Sequence, residues 1–260
     1  MEDSFIALDW LDIALALGLM GLVVVLSLWQ GLTLAGQWIM ATGRTILQLL
    51  VAGYWLTLIF ALDQAWAVLL ALGVMVTIAA IVARNRISKK IKNLLPLLWL
   101  SLGASNALTL AYVIVVIIQP PTWYSPQYLI PLTGMVLGNG MNAATLAGER
   151  LVSRLKESPG EIETYLSLGA SPPQAIASYR KAAMQAGLIP IINQMMVVGL
   201  VSLPGMLTGQ VLSGIDPLTA ALYQILIMIM IAFGNLVAVI LVTQGIARSF
   251  FNGAAQFVTH

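Results

Sequence analysis

Long apolar stretches separated by short polar segments dominate the sequence. A bilayer core of about 30 Å requires about 20 apolar residues in a helix that crosses it. Seven stretches meet that length, at about 11–29, 44–62, 65–83, 94–118, 127–147, 186–208 and 218–243. The pattern therefore predicts an all-α, polytopic membrane protein with seven transmembrane helices, forming a single domain over residues 1–260.

The composition supports this interpretation and excludes several chemistries. Hydrophobic residues make up 60% of the chain and charged residues 8%, whereas soluble domains carry about 25% charged residues. There is no cysteine, and the only histidine is His260, so neither a thiolate metal site nor a Ser-His protease is supported. The P-loop pattern G-x-x-x-x-G-K-[S/T] is absent, so we expect no nucleotide site and no enzymatic activity in this chain.

The charged residues predict the orientation in the membrane. The seven-span arrangement places every basic residue on one side: Arg44, Arg84, Arg86, Lys89, Lys90, Lys92, Arg150, Arg154, Lys156, Arg180, Lys181 and Arg248. The opposite side holds only acids: Glu2, Asp3, Asp9, Asp12, Asp63 and Asp216. The positive-inside rule then puts the N-terminus outside and the C-terminus in the cytoplasm, together with loops 30–43, 84–93 and 149–184. Short basic clusters beside apolar runs are typical of membrane topology, so no nucleic-acid partner is expected.

Residues 149–184 form a polar segment with the signals of a helical hairpin. Two capping boxes are predicted, Ser158 with Glu161 and Ser171 with Gln174, each followed by proline at the first helical position. Gly169 lies where the first helix, about 159–168, must end, because glycine adopts the left-handed conformation without strain. A capped polar hairpin between two spans predicts a cytoplasmic surface that docks a partner. The alternative is a cytoplasmic loop that only joins the two spans.

Polar residues within the later spans suggest a path for a solute. Pro204 and its neighbouring glycines predict that the sixth span is kinked or broken, which in transporters often marks a substrate site. The candidate path residues are Asn106, Asn139, Asn142, Asn193, Gln194, Met195, Met196 and Pro204. The alternative is that the amides form ordinary hydrogen bonds between helices and that the proline only kinks the span. No metal ligands are identified. A metal would have to use amide or backbone oxygens, Met sulfur, or the outer acids Asp12, Asp63 and Asp216.

The fifth span carries small residues at a spacing of three to four. They are Gly134, Gly138, Gly140, Ala144 and Gly148. Such a stripe lets helix backbones approach closely in lipid. We expect this face to pack against another span or against a second copy of the protein.

Three segments carry a resemblance to a known family. Residues 163–169, ETYLSLG, resemble the E-A-A-x-x-x-G loop by which ABC-transporter permeases contact their ATPase. Together with GMVLGNGMNAATLAGERL at 134–151 and E-x-E-x-x-L-x-L-G-A-S-P at 161–172, they make the whole chain similar to FetB-type permeases. The resemblance assigns coupling to the ATPase to Glu161, Glu163, Tyr165, Leu168, Gly169, Ala170, Ser171 and Pro172.

The resemblance implies a function that the residues alone do not decide. It implies a homodimeric permease in the cytoplasmic (inner) membrane, paired with a separate ABC ATPase that binds ATP and Mg, with no cofactor in this chain. The family includes iron exporters and aluminium-tolerance permeases, some linked to nucleotide-sugar transport, so export of metal ions such as iron is the first expectation. An organic solute such as a nucleotide-sugar is the alternative cargo. A stand-alone channel, a secondary carrier and a structural membrane scaffold are the alternative classes of protein.

Overall fold

The computed structural model of the protein describes residues 9–258, and the regular secondary structure of these residues is helical. Glu2, Asp3 and His260, on which the sequence analysis drew, lie outside the described residues. The helices are α1 (Trp10–Trp29), α2 (Ala35–Leu62), α3 (Ala65–Ile87), α4 (Leu94–Tyr112, extended by a π-helical turn Val113–Ile118), α5 (Pro126–Glu157), α6 (Pro159–Ser167), α7 (Pro172–Ala175), α8 (Ala177–Val197), α9 (Gly205–Leu212) and α10 (Pro217–Ser249).

Five of these helices are long and apolar enough to cross a membrane, namely α1, α2, α3, α4 with its π-helical turn, and α10. They coincide with the first four and the last of the predicted spans. The other two predicted spans fall on α5 and α8. Both of these helices are less apolar, because they carry amides, glycines and a charged end. The all-α prediction is therefore confirmed, whereas the count of seven spans and the orientation of the termini stay predictions.

Helix α5 is the centre of the bundle. It packs against α3, α8 and α10, while α4 fills the space between α3 and α10. Leu98, Leu151 and Val242 from three of these helices are fully buried in the main apolar cluster. Helix α1 packs mainly on α2, and this pair touches the rest of the chain only lightly. The apolar surface of the pair is therefore left for lipid or for another protein.

The small-residue stripe of α5 packs within the chain. A Cβ built on Gly140 would lie 3.7 Å from Ala238 of α10, and one on Gly148 would lie 2.7 Å from Ile87 of α3. Ala144 is completely buried. Spans of the same chain therefore cover most of this face, whereas a Cβ built on Gly138 would meet nothing within 4 Å.

Several predicted helix ends were wrong because the helices were predicted too short. Helix α3 continues to Ile87 and α10 to Ser249, and the differences at α2 and α5 are larger. Helix α2 begins at Ala35, so most of the predicted loop 30–43 is helical and Arg44 lies inside the helix. Helix α5 continues to Glu157, so residues 149–157 belong to a long central helix and not to the hairpin. In both places the residues that flank the apolar run include no proline, and good helix formers continue the backbone hydrogen bonds into the polar zone.

The predicted sixth span is broken, as the sequence allowed. Helix α8 ends at Val197, residues 198–204 are non-helical, and Pro204 is the N-cap of α9. Gly199 has φ of +83° and donates its N–H to the carbonyl of Ser202 at 2.9 Å, so the chain turns sharply there. Pro190, in contrast, lies inside α8 without interrupting it.

Candidate functional site

A polar cavity of about 210 Å³ lies where α5, α8 and α10 meet. Its polar walls are Asn139 and Asn142 of α5, Gln194 of α8 and Asn235 of α10. Three of these four residues were predicted as path residues. Because Asn142 and Gln194 are exposed while Asn235 is buried, the cavity opens at the surface of the single chain and is closed on the side of α10.

Close packing of α5 against α8 sets the width of this cavity. Ala183, Gly187 and Ile191 are the buried residues of α8 and follow one another at a helical spacing of four. A Cβ built on Gly187 would lie 2.5 Å from the carbonyl oxygen of Ala143 and 2.9 Å from the Cβ of Ala147. Only glycine permits this approach, which brings Gln194 of α8 to the same cavity as the two asparagines of α5.

The cavity offers amide groups and no charge. Asn139 donates from Nδ2 to the carbonyl of Met135 at 2.8 Å, so its amide is oriented by its own helix. Asn235 is only 3% exposed, and its Oδ1 has no hydrogen-bond partner among the described residues. A buried carbonyl without a partner costs about 1–3 kcal/mol. A water or a polar solute in the cavity would remove that cost.

The structure does not bring the other predicted path residues to this cavity. Asn193 and Met196 are exposed on α8, and Met195 borders a separate, apolar cavity near Met228. Asn106 is buried in α4, with its Oδ1 also unpartnered among the described residues. Pro204 begins α9. Asn235 was missing from the predicted path, although its position as an amide in an apolar span was the available signal.

The acidic residues on the predicted outer side lie at the ends of helices. Asp12 accepts a hydrogen bond from the backbone N–H of Asp9 at 2.9 Å, at the start of α1. Asp216 accepts from the backbone N–H of Thr219 at 3.0 Å and caps α10. Asp63 is the left-handed C-cap of α2. Over residues 9–258, no three Asp, Glu or His side chains lie together in a way that could hold a metal ion.

The hairpin is anchored on one face and exposed at its tip. Ile162 of α6 is completely buried in the main apolar cluster, together with Ile176, which follows α7. At the tip Leu168 is 79% exposed and Tyr165 is 45% exposed. Gly169 has φ of +90°, which confirms the predicted left-handed end of the first helix. The hairpin therefore presents apolar side chains on a fixed scaffold.

Only one of the two predicted capping boxes forms. The N–H of Ser171 donates to Gln174 Oε1 at 2.8 Å, as predicted. Ser158 makes no side-chain capping bond. The Glu161 carboxylate that should complete that box accepts a hydrogen bond from the hydroxyl of Tyr179 instead. Burial and this bond to Glu161 raise the pKa of Tyr179 above its ordinary value, so the tyrosine holds α6 on α8 as a neutral donor.

These features define a multi-pass helical membrane protein with a polar cavity inside the bundle and a capped hairpin outside it. Comparison with known proteins places it in a family. The chain belongs to the Uncharacterised protein family UPF0014, whose profile matches residues 10–251.

Three relatives from different organisms cover nearly the full chain. UPF0014 membrane protein slr1647 of Synechocystis is 62% identical over 99% of this chain and 100% of its own length. The probable iron export permease protein FetB of Escherichia coli is 35% identical over 95% and 94%. Protein ALUMINUM SENSITIVE 3 of Arabidopsis thaliana is 33% identical over 100% and 96%. The similarity to FetB-type permeases is thereby confirmed. No solved structure matches the chain.

Proposed function

We propose that this protein is the membrane-spanning permease subunit of an ATP-driven ABC exporter in the cytoplasmic (inner) membrane. Its relatives are named as permeases or membrane proteins, and one of them as an iron export permease. The chain itself would catalyse no reaction. A separate ABC ATPase would bind ATP and Mg, and two copies of the permease would form the pathway between them.

The observation that supports the ATPase partner best is the exposed apolar tip of the hairpin. Leu168 is exposed over 79% of its surface on a segment that the positive-inside rule places in the cytoplasm, where it gains nothing from lipid. The scaffold under it is fixed by the buried Ile162 and by the bond from Tyr179 to Glu161. A rigid hairpin with an apolar tip is suited to insert into a groove of a partner and to transmit its movement.

Movement would reach the cavity through α8. The second half of the hairpin, α7, leads after a single residue into α8, which carries Gln194 to the cavity. A shift of the hairpin driven by the ATPase would therefore displace one wall of the cavity against α5. Because the helix is interrupted after Val197, α8 can move without moving α9 as one rigid helix with it. The open side of the cavity is where the second copy of the chain would complete the pathway.

The chemistry of the cavity bears on the cargo. Amide oxygens can bind a metal ion, but hard cations prefer carboxylates, and Asn139, Asn142, Gln194 and Asn235 supply none. We keep metal ions such as iron as the proposed cargo because of the relative named for iron export. An organic solute such as a nucleotide-sugar is the second candidate, since neutral amides suit hydroxyl groups equally well.

The test is reconstitution of the permease with an ABC ATPase that co-purifies with it, followed by measurement of ATP-dependent movement of ferrous iron and of a nucleotide-sugar. Asn139→Ala/Asn142→Ala should lower the transport of the true cargo at least tenfold. The matched control is Asn193→Ala, an exposed amide of α8 outside the cavity. Sugar transport without iron movement would overturn the metal assignment. Transport without any ATPase would instead favour a channel or a secondary carrier.

A further inference from the structure

A second cavity, of about 330 Å³, lies under the hairpin and outside the candidate transport site. It is bordered by α7, the start of α8 and the end of α10. Its walls are two arginines, Arg180 and Arg248, two amides, Gln244 and Asn252, and an apolar side that includes Pro172 and Phe251. The proposed function does not use the two arginines or the two amides.

The two arginines make this cavity strongly positive. None of the residues that line it is acidic. Within residues 9–258 the only ion pair joins Arg154 to Glu157, at 3.3 Å, so neither cavity arginine has a carboxylate partner there. The acid on the adjoining helix α6, Glu161, is already bonded to Tyr179. Arg180 is half-buried, whereas Arg248 is exposed to solvent. A partly desolvated guanidinium without a counter-charge is costly, so an anion beside Arg180 would offset that cost.

The position of the cavity indicates which anions can reach it. Arg248 lies in the last turn of α10, a helix that is apolar enough to cross the membrane. The 33 residues of α10 rise about 50 Å, which exceeds the hydrocarbon core of about 30 Å and brings this end to or beyond the headgroup layer. Arginines bind phosphate oxygens in pairs of parallel hydrogen bonds, and basic pockets between helices at the cytoplasmic surface suit lipid headgroups.

We propose that this cavity binds a phosphate group, held between Arg180 and Arg248 and supplied by the headgroup of an anionic phospholipid. The phosphate oxygens accept from the two guanidinium groups, and the amide of Gln244 binds the polar remainder. The amide of Asn252 is engaged in hydrogen bonds with residues 254 and 256 of its own turn. The apolar side of the cavity packs against the start of the lipid chain. Bound there, the lipid joins the base of the hairpin to the end of α10. Free phosphate has the same charge chemistry and is the other source to be tested.

The experiment measures the thermal stability of the purified full chain in neutral detergent, with added phosphatidylglycerol, phosphatidylcholine or inorganic phosphate. Phosphatidylglycerol should raise the Tm of the wild-type protein by several degrees, and phosphatidylcholine should not. Arg180→Gln and Arg248→Gln should each lose more than half of that gain. Lys181→Gln, which removes one charge on the same helix at a residue outside the cavity, should keep it. Native mass spectrometry should show one fewer retained lipid in the two arginine variants.

Each other outcome is also decisive. A stabilisation by inorganic phosphate that is lost in the same two variants would make free phosphate the source and retain the site. An equal gain from phosphatidylglycerol in all four proteins would overturn the proposal. So would arginine variants that keep the lipid response but no longer co-purify with an ATPase, because the cavity would then be a protein contact. If a glutamine variant does not fold, Arg180→Lys and Arg248→Lys keep the charge without the paired geometry and should show a weaker response to the lipid.

Discussion

Replacement of Gly187 by alanine tests whether the approach of α8 to α5 sets the candidate transport cavity. The new Cβ would lie 2.5 Å from the carbonyl oxygen of Ala143, so the two helices would have to separate by about 0.9 Å to reach an ordinary contact of 3.4 Å. Overpacking of this kind costs about 1–3 kcal/mol. The higher helix propensity of alanine stabilises the folded state by about 0.5–1 kcal/mol relative to glycine. Taken at the middle of both ranges, the net loss in the free energy of unfolding is about 1 kcal/mol.

The assay heats the detergent-purified protein to a series of temperatures and measures by size-exclusion chromatography how much of it remains folded. For a chain of this size the expected loss corresponds to a fall in Tm of about 2–4 °C. Gly138→Ala is the matched control, because it lies in α5 beside Asn139 and a Cβ there would meet nothing within 4 Å. Its Tm should stay at or slightly above the wild-type value. An equal Tm for Gly187→Ala, Gly138→Ala and wild type would refute the close packing of α5 and α8.

Three further predictions concern topology and the hairpin. Asp63→Cys should react with an impermeant thiol reagent from outside the cell, and Ser158→Cys should not. The chain has no cysteine of its own to react. Labelling of Ser158→Cys would overturn the predicted orientation in the membrane. Gly169→Val places a β-branched residue at φ of +90°, which costs about 1–3 kcal/mol of backbone strain. This variant should insert into the membrane but no longer co-purify with the ATPase. Full co-purification would exclude the hairpin as the docking element. Tyr179→Phe removes the bond to Glu161, which lies at the exposed surface and is worth about 0.5–1.5 kcal/mol. The variant should speed limited proteolysis of the hairpin, and an unchanged cleavage rate would show that the bond does not hold α6.

The sequence alone determined the class of protein and most helix ends. Apolar runs of sufficient length predict helices whatever they pack against, because backbone hydrogen bonds must be satisfied within each segment in lipid. The ends at Trp29 and Leu62, the left-handed Gly169 and the break before Pro204 all follow from local residue chemistry. The start of α2 and the end of α5 were predicted inside the actual helices. Hydropathy marks where a helix leaves the apolar zone, and the helix itself can continue beyond that point.

Only the tertiary structure decided which polar groups meet. Asn193 and Gln194 are adjacent in sequence, yet only Gln194 reaches the cavity, because the packing of Gly187 on α5 fixes the rotation of α8. Asn235 joins them from α10, a helix much further along the chain. Such long-range positions depend on the fit of whole helix faces, which no local pattern records.

The capping box at Ser158 shows the same limit within a few residues. Its local signals were as complete as those at Ser171. Tyr179 lies 18 residues after Glu161, and the folding of the hairpin brings its hydroxyl against that carboxylate. A hydrogen bond from a distant tyrosine thus replaced the local one. The sequence determines which groups are available, and the tertiary contacts decide which partner each of them takes.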